Sequence, residues 1–117
     1  MFSFEKLEVW QRTRKFLKEI YKATTTFPKE EQFGLIQHIR KSAVSVLSNI
    51  AEATSRFGDV DFKRFIEIAI GSLYEAISQL FVALDNDYLA KAGFENIYKE
   101  AEIIAKMLSR LSKSRGT

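Results

Sequence analysis

Apolar residues recur along this chain at intervals of three and four, the period of an amphipathic α-helix, in four successive segments. From about 4 to 27, Leu7, Trp10, Leu17, Tyr21 and Thr24 fall on one stripe, and Val9, Phe16, Ile20, Ala23 and Phe27 fall on a second. Two adjacent stripes are more than a simple surface helix uses. From about 29 to 56, Leu35, Ile39, Ala43, Val46 and Ile50 form the main stripe, widened by Ile36 and Leu47. Beside it runs a polar stripe of mostly small residues: His38, Ser42, Ser45, Asn49 and Glu52. From about 60 to 87 the apolar band is broad (Phe62, Phe65, Ile66, Ala69, Leu73, Ala76, Ile77, Leu80, Ala83, Leu84), flanked by Ile68, Ser72, Glu75, Gln79 and Val82. From about 94 to 113, Ile97, Ala101, Ile104, Leu108 and Leu111 keep a heptad seam.

The breaks between segments carry their own chemistry. Pro28 pushes the residue before it out of helical geometry and suits the first turn of the next helix, where Glu30 and Glu31 complement the positive end of the helix dipole. In Phe57-Gly58-Asp59, the glycine is placed for a left-handed cap and the aspartate to accept from the next helix's first amides. Ala90-Lys91-Ala92-Gly93 is the third break. Gly71, in mid-helix, costs about 1 kcal/mol against alanine, which predicts close backbone approach by a neighbouring helix. Four helices with short connections predict an all-α fold: a single antiparallel up-down-up-down four-helix bundle over residues 1–117.

Composition sharpens this in three ways. A single proline and five glycines are too few for the turns of an all-β fold. The absence of cysteine excludes disulfides and thiolate metal sites and fits a reducing cytoplasm, the expected location. No charged stretch leads into an apolar run at the N-terminus, and charges interrupt each apolar segment, so neither a signal peptide nor a membrane span is expected. The 10 Phe, 4 Tyr and 1 Trp exceed what one inward stripe per helix can bury. Symmetric association of copies is the common outlet for such a surplus and predicts a homo-oligomer; the alternative is a bundle with a few aromatics at its edges.

The net charge of +3 is mild but uneven, with Lys and Arg exceeding Asp and Glu by about four up to Gly58. Segment one contributes Arg12, Arg14, Lys15, Lys18 and Lys22; the chain after Glu102 contributes Lys106, Arg110, Lys113 and Arg115. Such residues serve as a solvated face with cations at a helix C-terminus, or as contacts for phosphates.

Catalytic constellations are missing from the pattern. A di-metal carboxylate bundle needs paired Glu-x-x-His motifs, whereas His38 is the one histidine and no carboxylate lies three residues before it. There is no cysteine nucleophile, and Ile70-Gly71-Ser72 lies in mid-helix, unlike a phosphate cradle. No catalytic residue, cofactor or metal is expected. Asn49, Glu52, Ser72 and Glu75 belong either to an interhelical polar network that fixes register or to a partner-binding groove.

Several motifs in order give the chain a family likeness. They are Phe4-x-x-Leu7-x-Val9-Trp10, then Tyr21, Phe27-Pro28-x-Glu30 and Phe33-Gly34-Leu35, then Ser48-Asn49-Ile50-Ala51-Glu52, and finally Phe62-x-x-Phe65-x-x-Ile68-Ala69-x-Gly71-Ser72-Leu73-x-Glu75. Over roughly residues 4 to 88 the chain resembles the four-helix-bundle proteins encoded by intervening sequences within bacterial 23S rRNA genes, also labelled S23 ribosomal proteins. The resemblance implies a bacterial cytoplasmic protein and a homopentamer. It also implies kinship with the accessory protein of diversity-generating retroelements, a similar pentamer that engages nucleic acid and a reverse transcriptase. Ala53 stands where the family often has glycine, His38 where it has glutamine, Arg40-Lys41 where it has two arginines, and Leu47 where it tends to have proline. A lysine keeps the charge but not the planar fork.

The leading expectation is therefore a non-enzymatic oligomeric module that binds RNA or DNA backbones. Its expected contacts are Arg12, Lys15, Lys18, Lys22, Arg40, Lys41, Arg56, Lys63 and Arg64. The alternative is a scaffold or accessory subunit for a partner protein. No aromatic platform for stacking on bases is identifiable, because the aromatics fall on apolar stripes.

Overall fold

A computed structural model describes residues 1–115; the last two positions of the expected domain lie outside the described residues. Four helices are present: α1 (Glu8–Thr24), α2 (Leu35–Thr54), α3 (Asp59–Asp85) and α4 (Lys91–Ser114), with 3-10 turns at Ser3–Lys6 and Lys29–Glu31. There is no strand among the described residues. Contacts close a ring from α1 to α2, α3, α4 and back to α1, with no diagonal pair. Arg12 meets Glu100 across α1 and α4, Ser45 meets Ser72 across α2 and α3, and Arg115 reaches Asp59 across α4 and α3. Ser42 meets Glu75 where Ser45 meets Ser72, so numbering falls along α3 as it rises along α2. These pairings fit up-down-up-down order.

Each helix turns one stripe inward. Val9, Thr13, Phe16, Ile20 and Thr24 do so for α1; Ile39, Ala43, Val46, Ile50 and Ala53 for α2; Phe62, Ile66, Ala69, Leu73, Ala76, Leu80 and Ala83 for α3; and Phe94, Ile97, Ala101, Ile104 and Leu108 for α4. Of the two stripes in segment one, the second forms the core, while Leu7, Trp10 and Leu17 pack at its edge. The buried hydroxyls of Thr13 and Thr24 are satisfied within α1, donating to the carbonyls of Val9 (2.7 Å) and Ile20 (2.8 Å). The α2–α3 contact is the most extensive, because Ser42, Ala43, Ser45, Ala69, Ser72 and Ala76 keep side chains short along the seam.

The helix ends depart from the sequence expectations in instructive ways. α1 starts at Glu8, not near Phe4, because Leu7 is extended and the preceding 3-10 turn folds Phe4 onto Trp10, with ring centroids 4.8 Å apart. α2 starts at Leu35 rather than near Lys29. Tighter i to i+3 bonds from Glu31, Gln32 and Gly34 to the carbonyls of Pro28, Lys29 and Glu31 occupy the stretch between. Gly58 is extended (φ −90°), not left-handed, and Asp59 pairs with Arg115 rather than capping amides.

The third break lies earlier than expected. Asp87 takes the left-handed conformation (φ 62°), the Tyr88 amide donates to Ala83 O (2.9 Å) and the Asp87 amide to Leu84 O (3.1 Å). This pair of bonds is a Schellman closure that ends α3 without glycine. Ala90 is the N-cap position of α4, and Gly93 sits inside the first turn of that helix. The close approach expected at Gly71 is also absent. A Cβ there would meet nothing within 4 Å, because Gly71 faces outward.

α3 is long and apolar enough to cross a bilayer, contrary to expectation, and only 28% of its most apolar stretch is buried. Its apolar residues are divided: one set fills the core, and Ile68, Tyr74, Phe81 and Val82 lie exposed.

Two stability outcomes follow. Leu80→Ala, at a fully buried site, should lower unfolding free energy by about 2–5 kcal/mol in urea titration. Asp87→Gly should raise it by about 1 kcal/mol, since glycine bears no Cβ penalty in the left-handed region.

Candidate nucleic-acid interface

The basic side of α1 rises beside α4. Lys15, Lys18 and Lys22 are exposed on it at i, i+3 and i+7, spanning about 10 Å along the axis. None of the three pairs with a carboxylate among the described residues. They rim an open groove of about 960 Å³ between α1 and α4, floored by Phe16, Ala23, Leu89 and Ile97. Glu19 and Glu100 on the same groove temper the charge.

The other expected contacts are held differently. Arg12 forks onto Glu100, with Nε to Oε1 at 3.0 Å and Nη2 to Oε2 at 2.9 Å. The hydrogen bond and the charge of Glu100 lift its guanidinium further above its ordinary pKa, and the fork fastens α1 to α4. Arg40 donates through Nε to Thr24 Oγ1 (2.9 Å) and through Nη2 to Tyr21 O (3.2 Å), over the Tyr21 ring at 4.5 Å. It places a cation at the C-terminal end of α1, where the helix dipole favours it. Lys41, beside it in sequence, is exposed.

Arg56, Lys63 and Arg64 gather at the other end of α2, about 24 Å from Arg40 along the helix. Arg56 lies 3.4 Å from Glu52, Arg64 lies 3.9 Å from Asp61, and both guanidinium groups sit over the Phe65 ring at 4.6 and 5.1 Å. The nine cations thus fall along α1, near the start of α2 and around the α2–α3 connection, and three of the five lysines without a carboxylate partner among the described residues form one row on α1.

The polar stripes meet along the α2–α3 seam. Ser45 Oγ and Ser72 Oγ are 2.7 Å apart, and Asn49 Nδ2 donates to Ser45 O (2.8 Å) and Oγ (3.0 Å). Ser42 Oγ donates to Glu75 Oε1 at 2.6 Å and lies 3.2 Å from Gln79 Oε1. Glu52 is not brought to this seam: it accepts from Ser55 Oγ and pairs with Arg56 at the end of its own helix. His38 is exposed, and no cluster of three potential metal ligands occurs among the described residues. Sequence reasoning missed the Arg12–Glu100 fork and the Tyr88–Glu31 contact, both made across long stretches of chain with no local signal.

Fold and surface together define a four-helix bundle with a basic helix face and a serine-lined polar seam. A model of the 23S rRNA-intervening sequence protein family matches residues 5–110, and the chain belongs to that family. A solved structure from Bacteroides thetaiotaomicron VPI-5482, of a protein with unknown function from the S23 ribosomal protein family, superposes with a TM-score of 0.80. It is 24% identical, and the match covers 90% of this chain and 98% of that one, a likeness of fold. No curated protein matches the sequence.

Tyr88 lines the groove near the α3–α4 turn, and its hydroxyl donates to Glu31 Oε2 at 3.0 Å. That hydrogen bond, with partial burial and the nearby carboxylate charges, raises the phenol pKa above its usual value. A folded pKa above the unfolded one contributes stability in full below about pH 10, lost as pH rises through the folded value. Melting temperature against pH should therefore fall more steeply in alkali for the native chain than for Tyr88→Phe. Parallel curves would assign Tyr88 no linkage.

Proposed function

We propose that this protein is a non-enzymatic, cytoplasmic homo-oligomeric bundle that binds nucleic-acid backbones through the α1 face. The supporting observation is the row of Lys15, Lys18 and Lys22, exposed and unpaired among the described residues above the α1–α4 groove. Lysine ammonium groups act on phosphates as point charges and read no sequence. One protomer carries too few of them for tight binding; several copies joined in a ring raise both field and avidity.

Assembly is supported by apolar surface with no cover in the protomer. Ile68, Tyr74, Phe81 and Val82 are exposed on α3, Phe81 meets Tyr98 of α4 edge-on with ring centroids 6.2 Å apart, and Tyr74 is 68% exposed. Gly71 lies in the same α3 face with open space above its backbone, the room another helix needs to approach. Five copies is the number the family resemblance implies. A partner protein seated on this face is the second reading, favoured by the same open backbone.

Two measurements test these statements. Lys15→Glu with Lys18→Glu and Lys22→Glu should weaken binding to structured RNA and to duplex DNA alike. The slope of log affinity against log salt should become shallower by about two to three. An unchanged slope removes α1 from the interface. For assembly, sedimentation of the native chain should give a multiple of the 13.5 kDa protomer, and Ile68→Lys with Tyr74→Lys should give the protomer itself. A native monomer at micromolar concentration refutes the assembly and leaves the apolar face to a partner protein.

A further inference from the structure

The α2–α3 end of the bundle carries one aromatic ring that nothing in the protomer uses. Phe57 is 102% exposed, whereas the rings on the adjoining first turns of α3, Phe62 and Phe65, are buried or half-buried. Phe57 makes none of the ring–ring contacts of the described residues. It stands on the short α2–α3 connection, between the Arg56 amide, which donates to Ala53 O (3.1 Å), and Gly58 O, which accepts from the Phe62 amide (3.1 Å).

The surroundings of this ring have a distinct chemistry. Three guanidinium groups lie over aromatic rings at this end, Arg56 and Arg64 over Phe65 and Arg115 over Phe62 at 4.0 Å. A hollow of about 600 Å³ opens on the first turns of α3, lined by Val60, Lys63, Arg64, Glu67 and Ile68. Lys63 has no carboxylate partner among the described residues, while the three arginines pair with Glu52, Asp61 and Asp59. With Glu67 on the hollow, cations and acids balance here. This corner therefore does not attract a strand by charge, unlike α1.

A free ring next in sequence to the ring-stacked Arg56, with an unpaired ammonium at Lys63 in the first turns of the following helix, suits one nucleotide whose base is not paired. Bases stack on phenyl rings and guanidinium planes without regard to sequence, and one phosphate needs one cation. Duplex bases offer no face to such a ring. We infer that Phe57 is a stacking platform for an unpaired nucleobase, with Lys63 taking the phosphate of the same nucleotide. The inference rests on the nucleic-acid reading above and adds to it a preference for single-stranded or looped segments.

The test uses the full chain with two RNA probes of equal length, an unstructured oligouridylate and a perfect duplex, at one salt concentration. Phe57→Ala should weaken binding of the single strand by about five- to a hundredfold and leave the duplex within about twofold. Phe57→Trp should retain single-strand affinity and add fluorescence that the oligouridylate quenches; the native chain's one tryptophan, Trp10, packs against Phe4. Equal losses on both probes, or no loss on the single strand, overturn the platform while the α1 interface stands. A change in sedimentation mass on Phe57→Ala assigns the ring to contact between copies and also overturns it. If the native chain binds neither probe, the nucleic-acid reading itself fails and the platform falls with it.

Discussion

Four helices in a ring can each turn one stripe inward, and this geometric limit governs the rest of the protein. α1, α2 and α4 largely obey it, with one buried stripe apiece and only Tyr21, Tyr98 and Ile103 exposed among their large apolar side chains. α3 does not, because its apolar residues continue round to Ile68, Tyr74, Phe81 and Val82. The core is already filled by Ile66, Leu73 and Leu80, so the second side of α3 has no place inside. That exposed apolar face is the feature on which the proposed assembly rests, since patches of this kind are uncommon on monomers. The ridge of polar contacts next to it fixes where that surface lies. Ser45–Ser72 and Ser42–Glu75 set the α2–α3 register, since a shift of one residue would break both bonds.

The cations divide by chemistry as much as by position. Arginines act as fasteners: Arg12 on Glu100, Arg40 on the end of α1, Arg56 and Arg64 over Phe65, Arg115 on Asp59 and Phe62. A planar fork can satisfy a carboxylate or cover a ring while remaining partly wet. Lysines 15, 18 and 22 make no such contacts among the described residues, and their heavily hydrated ammonium groups stay in solvent. Cations of equal formal charge therefore do two jobs, and it is the lysines, the row on α1 above all, that stay open to an anion arriving from outside.

The fastened arginines also tie the bundle's ends together. Arg115 closes α4 onto the start of α3, and Arg40 closes α2 onto the end of α1. At the opposite corner Glu31 and Tyr88 join the α1–α2 connection to the α3–α4 turn. These contacts pin the ends of the helices to one another across long stretches of chain.

Much of this was written in the chain. The 3.6-residue period of apolar side chains determined four helices, the all-α class and most core residues, because burial of one stripe is a property of local sequence. The stripes holding Asn49, Ser72 and Glu75 were legible for the same reason. Helix ends were not: Asp87 accepts a left-handed cap without glycine, and Gly93 lies within α4, because closure there depends on bonds from Tyr88 and Asp87 back to α3. Nor could sequence say which cations were spoken for, since Glu100 lies 88 residues from Arg12 and Asp59 lies 56 from Arg115. Periodicity determines which side of a helix faces inward; only packing in three dimensions decides which charges find partners and which apolar faces are left uncovered.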